Sequence, residues 1–383
     1  MKILFIAQNG DMLGANRSLL ALASGMRLRG VEVVVWCPRE GHFTDALRAK
    51  SVQYEIHDYY NWAAPFLFPA YWALLFGYLR NKAVFKELTT AVQRIAPDII
   101  HTNSTAVPMG AYLADALKIP HVWHIREFGR EDLDLRFFPG RTELYLWLSK
   151  ADRVIAISKA VRDKVIGDRD IATTLVYNGV AKASHFSKMR DKAMLPRNGR
   201  TITFLIIGML HPSKNQGMAL KAFAKIASEF PNAQLLIVGK GRRLYEKQLK
   251  NYCVRNNLTD QVIFAGYLSK PDEAYIQSDV VLMCSKEEAM GRVTVEAMAF
   301  AKPVIGYKKG ATPELITQGE DGFLFETGED QLASCMRYFL RHPEDIPVMG
   351  YRGFQKASKL FTEEKYVENM HRVFTEVMEE ERG

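Results

Sequence analysis

The chain has 383 residues, 48% hydrophobic and 25% charged, with a formal net charge of +8 and a sequence pI near 9.1. These values describe an ordinary globular protein of two or three domains. The basic balance suits anionic partners such as nucleotide diphosphates or anionic lipid, and no basic recognition element for nucleic acid stands out. Four cysteines, Cys37, Cys253, Cys284 and Cys335, lie far apart with no Cys-x-x-Cys and no His at metal spacing, which argues against a zinc site and a disulfide framework and for a reducing compartment.

Taken in chain order, the apolar run 3–7 is too short for a signal sequence and reads as a first buried strand. Runs at 3–7, 31–36, 99–101, 121–124 and 154–157 alternate with helical patterns, the rhythm of a parallel, doubly wound sheet. Segment 59–79 carries no charge and holds Trp62, Phe66, Phe68, Tyr71, Trp72, Phe76 and Tyr78. Its length would allow a membrane span, but Pro65 and Pro69 interrupt it and a span would cut the sheet apart. A loop and helix are predicted instead, continued by Arg80, Lys82, Lys86 and Arg94. The segment serves either as core or as the dry wall of a pocket, or as a docking face for an anionic membrane surface. Stretch 181–200 is polar, basic and broken by Pro196 and Gly199, and reads as a linker. The strand rhythm restarts at 203–207, 235–238, 262–264, 280–283 and 303–306. Tyr366, Val367, Met370, Phe374 and Val377 then recur at helical spacing. The expected fold class is α/β with two Rossmann-like doubly wound parallel-sheet domains: 1–180, a linker 181–200, 201–355, and a C-terminal helical segment 356–383.

The most informative stretch holds two carboxylates, Glu288 and Glu296, on either side of a helix start. An apolar run ends at Met283, Gly291 allows close backbone approach, and 294–300 opens a helix rich in good formers. Free N–H groups at that start suit an anion. Two acids beside phosphates make sense if they accept hydrogen bonds from sugar hydroxyls, so the stretch reads as a phosphate and sugar clamp. A surface acid pair on a plain strand-loop-helix unit is the bland alternative. The pattern argues against a nicotinamide-type dinucleotide site, because no Gly-x-Gly-x-x-Gly follows the first strand and Glu40 is a poor stand-in for the ribose-binding acid.

Glu288-x7-Glu296, followed by Ala297-Met298-Ala299 and Lys302-Pro303-Val304-Ile305-Gly306, closely resembles the signature of the retaining family-4 glycosyltransferases. The resemblance covers nearly the whole chain. It implies two Rossmann-like domains facing a central cleft, with the last helix crossing back to the first domain. It also implies that Glu288 lies beside the transferred sugar and Glu296 on the nucleotide ribose, with Ala289, Met290, Gly291, Arg292 and Val293 lining the donor. Gly208 and Lys214 match the family's diphosphate loop, while Met209 stands where an Arg is common; a lysine supplies a point charge rather than a fork, so Arg292, or less well His211, would add the second positive charge. Gly239-Lys240-Gly241 is a weak signal by itself. Tyr267 and Leu268 fall where the base is read through backbone groups, and Gly14 and Ala15 in the small-residue loop against the donor phosphates. His124, at a strand end, takes the sugar-facing role, and Arg126 and Glu127 either meet the acceptor or pair with each other.

The implied activity is metal-independent, retaining transfer from a nucleotide sugar, UDP- or GDP-linked, with no cofactor and no metal ligands. The implied acceptor is a glycan or a polyprenyl-diphosphate-linked chain in bacterial surface polysaccharide biosynthesis. The implied location is cytoplasmic, peripheral on the inner face of the membrane. A sugar-nucleotide epimerase of the same fold, a phosphorylase, or a catalytically silent nucleotide-sugar-binding subunit are the alternatives.

Overall fold

The computed structural model describes residues 1–65, 70–129, 134–193 and 201–381, the side chains of Ala70 and Tyr71 excepted. The chain forms two compact units, Met1–Gly179 with the C-terminal stretch from Glu363, and Val180–Thr362.

The first unit contains strands β1 (Lys2–Ile6), β2 (Glu32–Cys37), β3 (Gln53–Ile56), β4 (Ala63–Pro65), β5 (Ile99–Thr102), β6 (His121–Ile125), β7 (Leu135–Phe137), β8 (Arg153–Ala156) and β9 (Thr173–Leu175). Seven make a parallel sheet in the order β3-β2-β1-β5-β6-β8-β9, and β4 pairs antiparallel with β7. Successive side chains of a strand point to opposite faces. Ile3 and Phe5 therefore join a core with Leu22, Met26, Tyr366, Met370 and Phe374, under the helices Gly14–Leu28 and Glu363–Glu380. Leu4 and Ile6 join the opposite core with Trp36, Leu88, Val92 and Leu113, under the helices Ala70–Ile95 and Met109–Leu117.

The second unit contains β10 (Ile202–Ile207), β11 (Ala233–Val238), β12 (Val262–Gly266), β13 (Val280–Met283), β14 (Val304–Tyr307) and β15 (Gly322–Phe325). All are parallel, in the order β12-β11-β10-β13-β14-β15. Each unit is thus Rossmann-like. In each, the strand order reverses beside the first strand, at β1/β5 and at β10/β13, which is where ligands of open α/β sheets collect.

Two expected boundaries move. Ala183–Ala193, read as linker, is a helix packed on the helices Asp272–Ile276, Arg292–Ala299 and Asp345–Leu360 of the second unit. Its Phe186 and Ala193 are buried, enough apolar surface to hold a turn-forming basic stretch in place. Pro196 and Gly199 lie outside the described residues. At the other end the helix Asp345–Leu360 stays wholly in the second unit, and the first unit's share begins at Glu363 rather than at 356. The four cysteines are free thiols, with Cys37, Cys253 and Cys284 buried.

Segment 59–79 divides its apolar residues. Trp62 is buried, stacks on Trp123 at 6.1 Å and donates its Nε1–H to Thr105 O at 2.7 Å. Asn81 fixes the helix Ala70–Ile95 to the preceding chain, accepting from Tyr60 N at 2.8 Å and donating to Tyr60 O at 2.9 Å. Trp72, Phe76 and Leu79 are each more than half exposed. Phe66, Phe68 and Pro69 and the Tyr71 side chain lie outside the described residues. Among those residues, no helix is long and apolar enough to cross a membrane.

Candidate active site

In the second unit the loops after β10 and β13 meet at the switch point. Lys286 N donates to Ser213 O at 3.0 Å, tying the two loops together. Across that tie the Lys214 ammonium donates to Glu288 Oε1. The lysine side chain is 35% exposed and the glutamate 15%, so the pair sits at the surface of the loops with the acid the more enclosed partner. Ala311 N donates to Glu288 O at 2.8 Å and holds the acid's backbone from the far side.

Gly291 caps the helix Arg292–Ala299 in the left-handed region at φ +80°, a conformation that favours glycine. That turn starts the helix two residues earlier than the composition of 294–300 suggests. The first turn therefore carries backbone N–H groups without intrahelical acceptors just past Glu288. Met290 is buried beneath this turn, whereas Ala289, Arg292 and Val293 are half-buried.

Glu296, one turn into the helix, is held from two sides. Tyr275 OH donates to Oε2 at 2.9 Å, and Arg292 Nη2 lies 3.5 Å from Oε1. Burial, then the carboxylate beside it, raises the Tyr275 hydroxyl well above its ordinary pKa and keeps it a donor. Tyr275 also stacks on Phe300 at 5.0 Å. Nothing in the local sequence marks this tyrosine, and only the three-dimensional packing brings it to Glu296. Arg292 further donates to Val180 O at 3.4 Å.

Gly208 follows β10, and a Cβ there would meet no atom within 4 Å beyond its own chain neighbours. Met209 is 59% exposed, with its carbonyl accepting from Gln216 Nε2 at 2.9 Å. His211 spends its Nδ1 within its own turn, on Ser213 N at 3.2 Å and Ser213 Oγ at 2.8 Å, so of the two extra cations considered it is Arg292 that stands beside one of the two acids, Glu296. Tyr267, just past β12, is 69% exposed and Leu268 half-buried.

In the first unit Gly14 and Ala15 open the helix Gly14–Leu28 at the switch point, where Asn103, just past β5, donates to Ala15 O at 3.3 Å. A Cβ on Gly14 would meet no protein atom within 4 Å, so the protein's own packing does not demand a small residue there. His124 is fully buried on β6. Arg126 and Glu127 are buried too. Glu127 accepts from Ser104 Oγ at 2.7 Å, Thr105 N at 2.8 Å and Thr105 Oγ1 at 2.5 Å. Arg126 reaches Asn103, Asn178, His124 and Tyr366. Both side chains are thus engaged within the first unit, in contacts that sequence spacing does not show. Among the described residues no group of three His, Cys, Asp or Glu is placed to hold a metal ion.

Two Rossmann-like units, each with a ligand-collecting switch point, make the architecture of the glycosyltransferase-B class. A family model for glycosyl transferases group 1 matches residues 187–356, and one for glycosyltransferase family 4 matches residues 13–183. The chain belongs to the group 1, family-4 glycosyltransferases. It is 28% identical over 320 residues to the N-acetyl-alpha-D-glucosaminyl L-malate synthase of Bacillus anthracis, covering 79% of this chain and 80% of the relative. The crystal structure of Anabaena HepE in complex with UDP matches with a TM-score of 0.80 at 24% identity, covering 98% of this chain and 100% of that one. The same protein in complex with UDP-glucose matches with a TM-score of 0.76 at 24% identity, covering 98% and 100%.

Proposed function

We propose that this glycosyltransferase moves a sugar, with retention and without a metal, from a nucleoside diphosphate to a glycan or lipid-linked acceptor of bacterial surface polysaccharide. The observation that carries the reading is the Lys214–Glu288 pair set against the start of the helix Arg292–Ala299 at the β10/β13 switch point. Lys214 and the helix N–H groups would stabilise the departing diphosphate, and Glu288 would hold the sugar as its anomeric carbon becomes cationic. Glu296, oriented by Tyr275, has both oxygens turned to donors and is arranged to accept from ribose hydroxyls. The family pattern assigns Gly14, Ala15, Gly208, Tyr267 and Leu268 to the donor as well, and His124 to the sugar. In the retaining step the acceptor oxygen bonds to the anomeric carbon, the bond to the phosphate oxygen breaks, and the phosphate takes the acceptor's proton.

A thermal-shift screen with UDP, GDP, ADP and dTDP, with EDTA present, tests the donor site. A ligand that binds only the folded state at about 100 times its Kd stabilises by about 2.7 kcal/mol. A selective rise in Tm with one nucleotide is expected, UDP or GDP by this reading. No rise with any of them overturns the metal-free site and favours a silent subunit.

For the acceptor, the exposed stripe Trp72, Phe76 and Leu79 runs along one face of its helix, with Lys82 and Lys86 exposed on the following turns. Apolar burial plus attraction to anionic headgroups would hold such a face on a membrane, at about 1.5–3 kcal/mol per large side chain and about 1 per lysine. Trp72→Ser with Phe76→Ser is expected to weaken co-sedimentation with phosphatidylglycerol vesicles at least tenfold, taking only part of those energies. Binding that survives the double change, or equals binding to phosphatidylcholine, removes the membrane from the reading. The name of the Bacillus anthracis relative couples an N-acetylglucosaminyl group to L-malate, so a small acid is the acceptor class that would then stand in its place.

A further inference from the structure

A polar cluster lies inside the first unit at the C-terminal ends of β5 and β6. His101 on β5 and His124 on β6 are fully buried, and Arg126 is 7% exposed. The guanidinium is held by neutral acceptors: Nε donates to Asn103 Oδ1 at 2.7 Å, Nη1 to Asn178 Oδ1 at 2.6 Å, and Nη2 to Tyr366 OH at 2.8 Å and His124 Nδ1 at 3.3 Å. The neighbouring carboxylate, Glu127, is turned to Ser104 and Thr105 instead. A buried charge held this way is costly, which makes its position a question of function as much as of stability.

The geometry decides the protonation of His124. A guanidinium has five N–H donors and no acceptor, so an imidazole nitrogen facing it must present its lone pair. The Arg126 contact is to Nδ1, which leaves the ring proton on Nε2. His101 Nε2 lies 3.3 Å from the same Nδ1, so it too must donate, and its own Nδ1 is bare. His124 Nε2 and His101 Nδ1 are buried and have no hydrogen-bond partner among the described residues. The groups that face His124 are therefore His101 from β5, Arg126 just past β6, and Tyr366 from the C-terminal helix, its ring centroid 6.3 Å away.

We propose that Arg126 is a positioning residue that holds His124 as an Nε2–H hydrogen-bond donor, never a proton acceptor, throughout the physiological pH range. The proposal gains its mechanistic meaning from the reading that His124 faces the transferred sugar. Burial, and after it the positive charge of Arg126, holds both imidazoles well below the usual histidine pKa, in agreement with the geometry. A neutral donor can grip a sugar oxygen while the anomeric carbon becomes cationic; an imidazolium would repel that charge. It also keeps His124 from taking the acceptor's proton, which leaves that proton to the departing phosphate.

Ring-15N histidine NMR of the full chain between pH 5.5 and 8, with His124 assigned through His124→Gln, reads this directly. A protonated Nε2 and a bare Nδ1, unchanged with pH, are expected. In Arg126→Met the tautomers should mix or begin to titrate, and kcat should fall at least tenfold, as loss of a transition-state donor does, with the donor KM much less affected. A wild-type His124 protonated on Nδ1, or titrating in this window, overturns the proposal even if Arg126→Met does not fold. So does an Arg126→Met protein that keeps the wild-type tautomer. Full turnover in His124→Gln, with the tautomer as assigned, upholds the role of Arg126 and removes His124 from the sugar.

Discussion

Glu288→Ala is expected to lower turnover by about a hundredfold or more, about 2.7 kcal/mol of transition-state stabilisation, while the protein stays folded. Folding should survive because the side chain lies on a loop with Lys214 as its one charged partner among the described residues, and that lysine is exposed enough to return to water. The loss should appear mainly in kcat, since a carboxylate opposite a developing positive charge acts more strongly on the transition state than on bound donor. Glu288→Gln separates charge from shape. If the amide restores most of the rate, the acid works as a hydrogen-bond acceptor; if it stays near the alanine value, the negative charge is what matters. Near-normal turnover in Glu288→Ala would show Lys214–Glu288 to be an ordinary surface ion pair.

The buried strands were legible because both faces of a parallel sheet are covered, which writes each as a continuous apolar run: 203–207, 235–238 and 280–283 all fall within strands. The edge strands were read unevenly. β12 was found as the run 262–264, but β3 and β9 keep only half-buried or exposed positions, so Gln53–Ile56 and Thr173–Leu175 lack such a run and read as connections, and the short apolar stretch Gly322–Phe325 was passed over. The site divides along a similar line. Glu288, Gly291 and Glu296 sit on one strand-loop-helix passage, and local spacing finds them. Tyr275 reaches Glu296 from 21 residues away, and Tyr366 reaches Arg126 from 240 residues away. Those partners depend on how helices pack on the sheet, which no single passage encodes. Segment 59–79 gives a third case. Its apolar residues carry one composition, yet Trp62 faces the core and Trp72, Phe76 and Leu79 face outward, a division fixed by the turn of the helix and by the Asn81–Tyr60 bonds.

Gly239→Ala is expected to cost the second unit about 3 kcal/mol or more, the combined scale of backbone strain and overpacking. Gly239 follows β11 at φ +141°, outside the range an L side chain adopts easily. A Cβ there would lie 1.8 Å from Gly208 O and 2.8 Å from Gly208 C, and these are backbone atoms, with no rotamer by which to give way. Nor can the loops simply part. Gly208 N donates to Val238 O at 3.0 Å, Leu210 N to Lys240 O at 2.9 Å, and Gly239 N to Gly266 O at 2.7 Å, so the ends of β10, β11 and β12 are laced together. For a unit of this size the lowering of Tm should be roughly 6–12 °C, read by scanning calorimetry. Displacing Gly208 also moves the loop that carries Lys214, so the rise in Tm with nucleotide should shrink beyond what the lower starting stability explains. An unchanged Tm would mean that the Gly208 carbonyl can move freely, and with it the loop proposed to hold the diphosphate. The pair Gly239 and Gly241, uninformative as spacing, then has a physical basis: a Cβ on Gly241 would lie 1.9 Å from Leu210 O, so both glycines let the β11 loop lie against the phosphate-facing loop after β10.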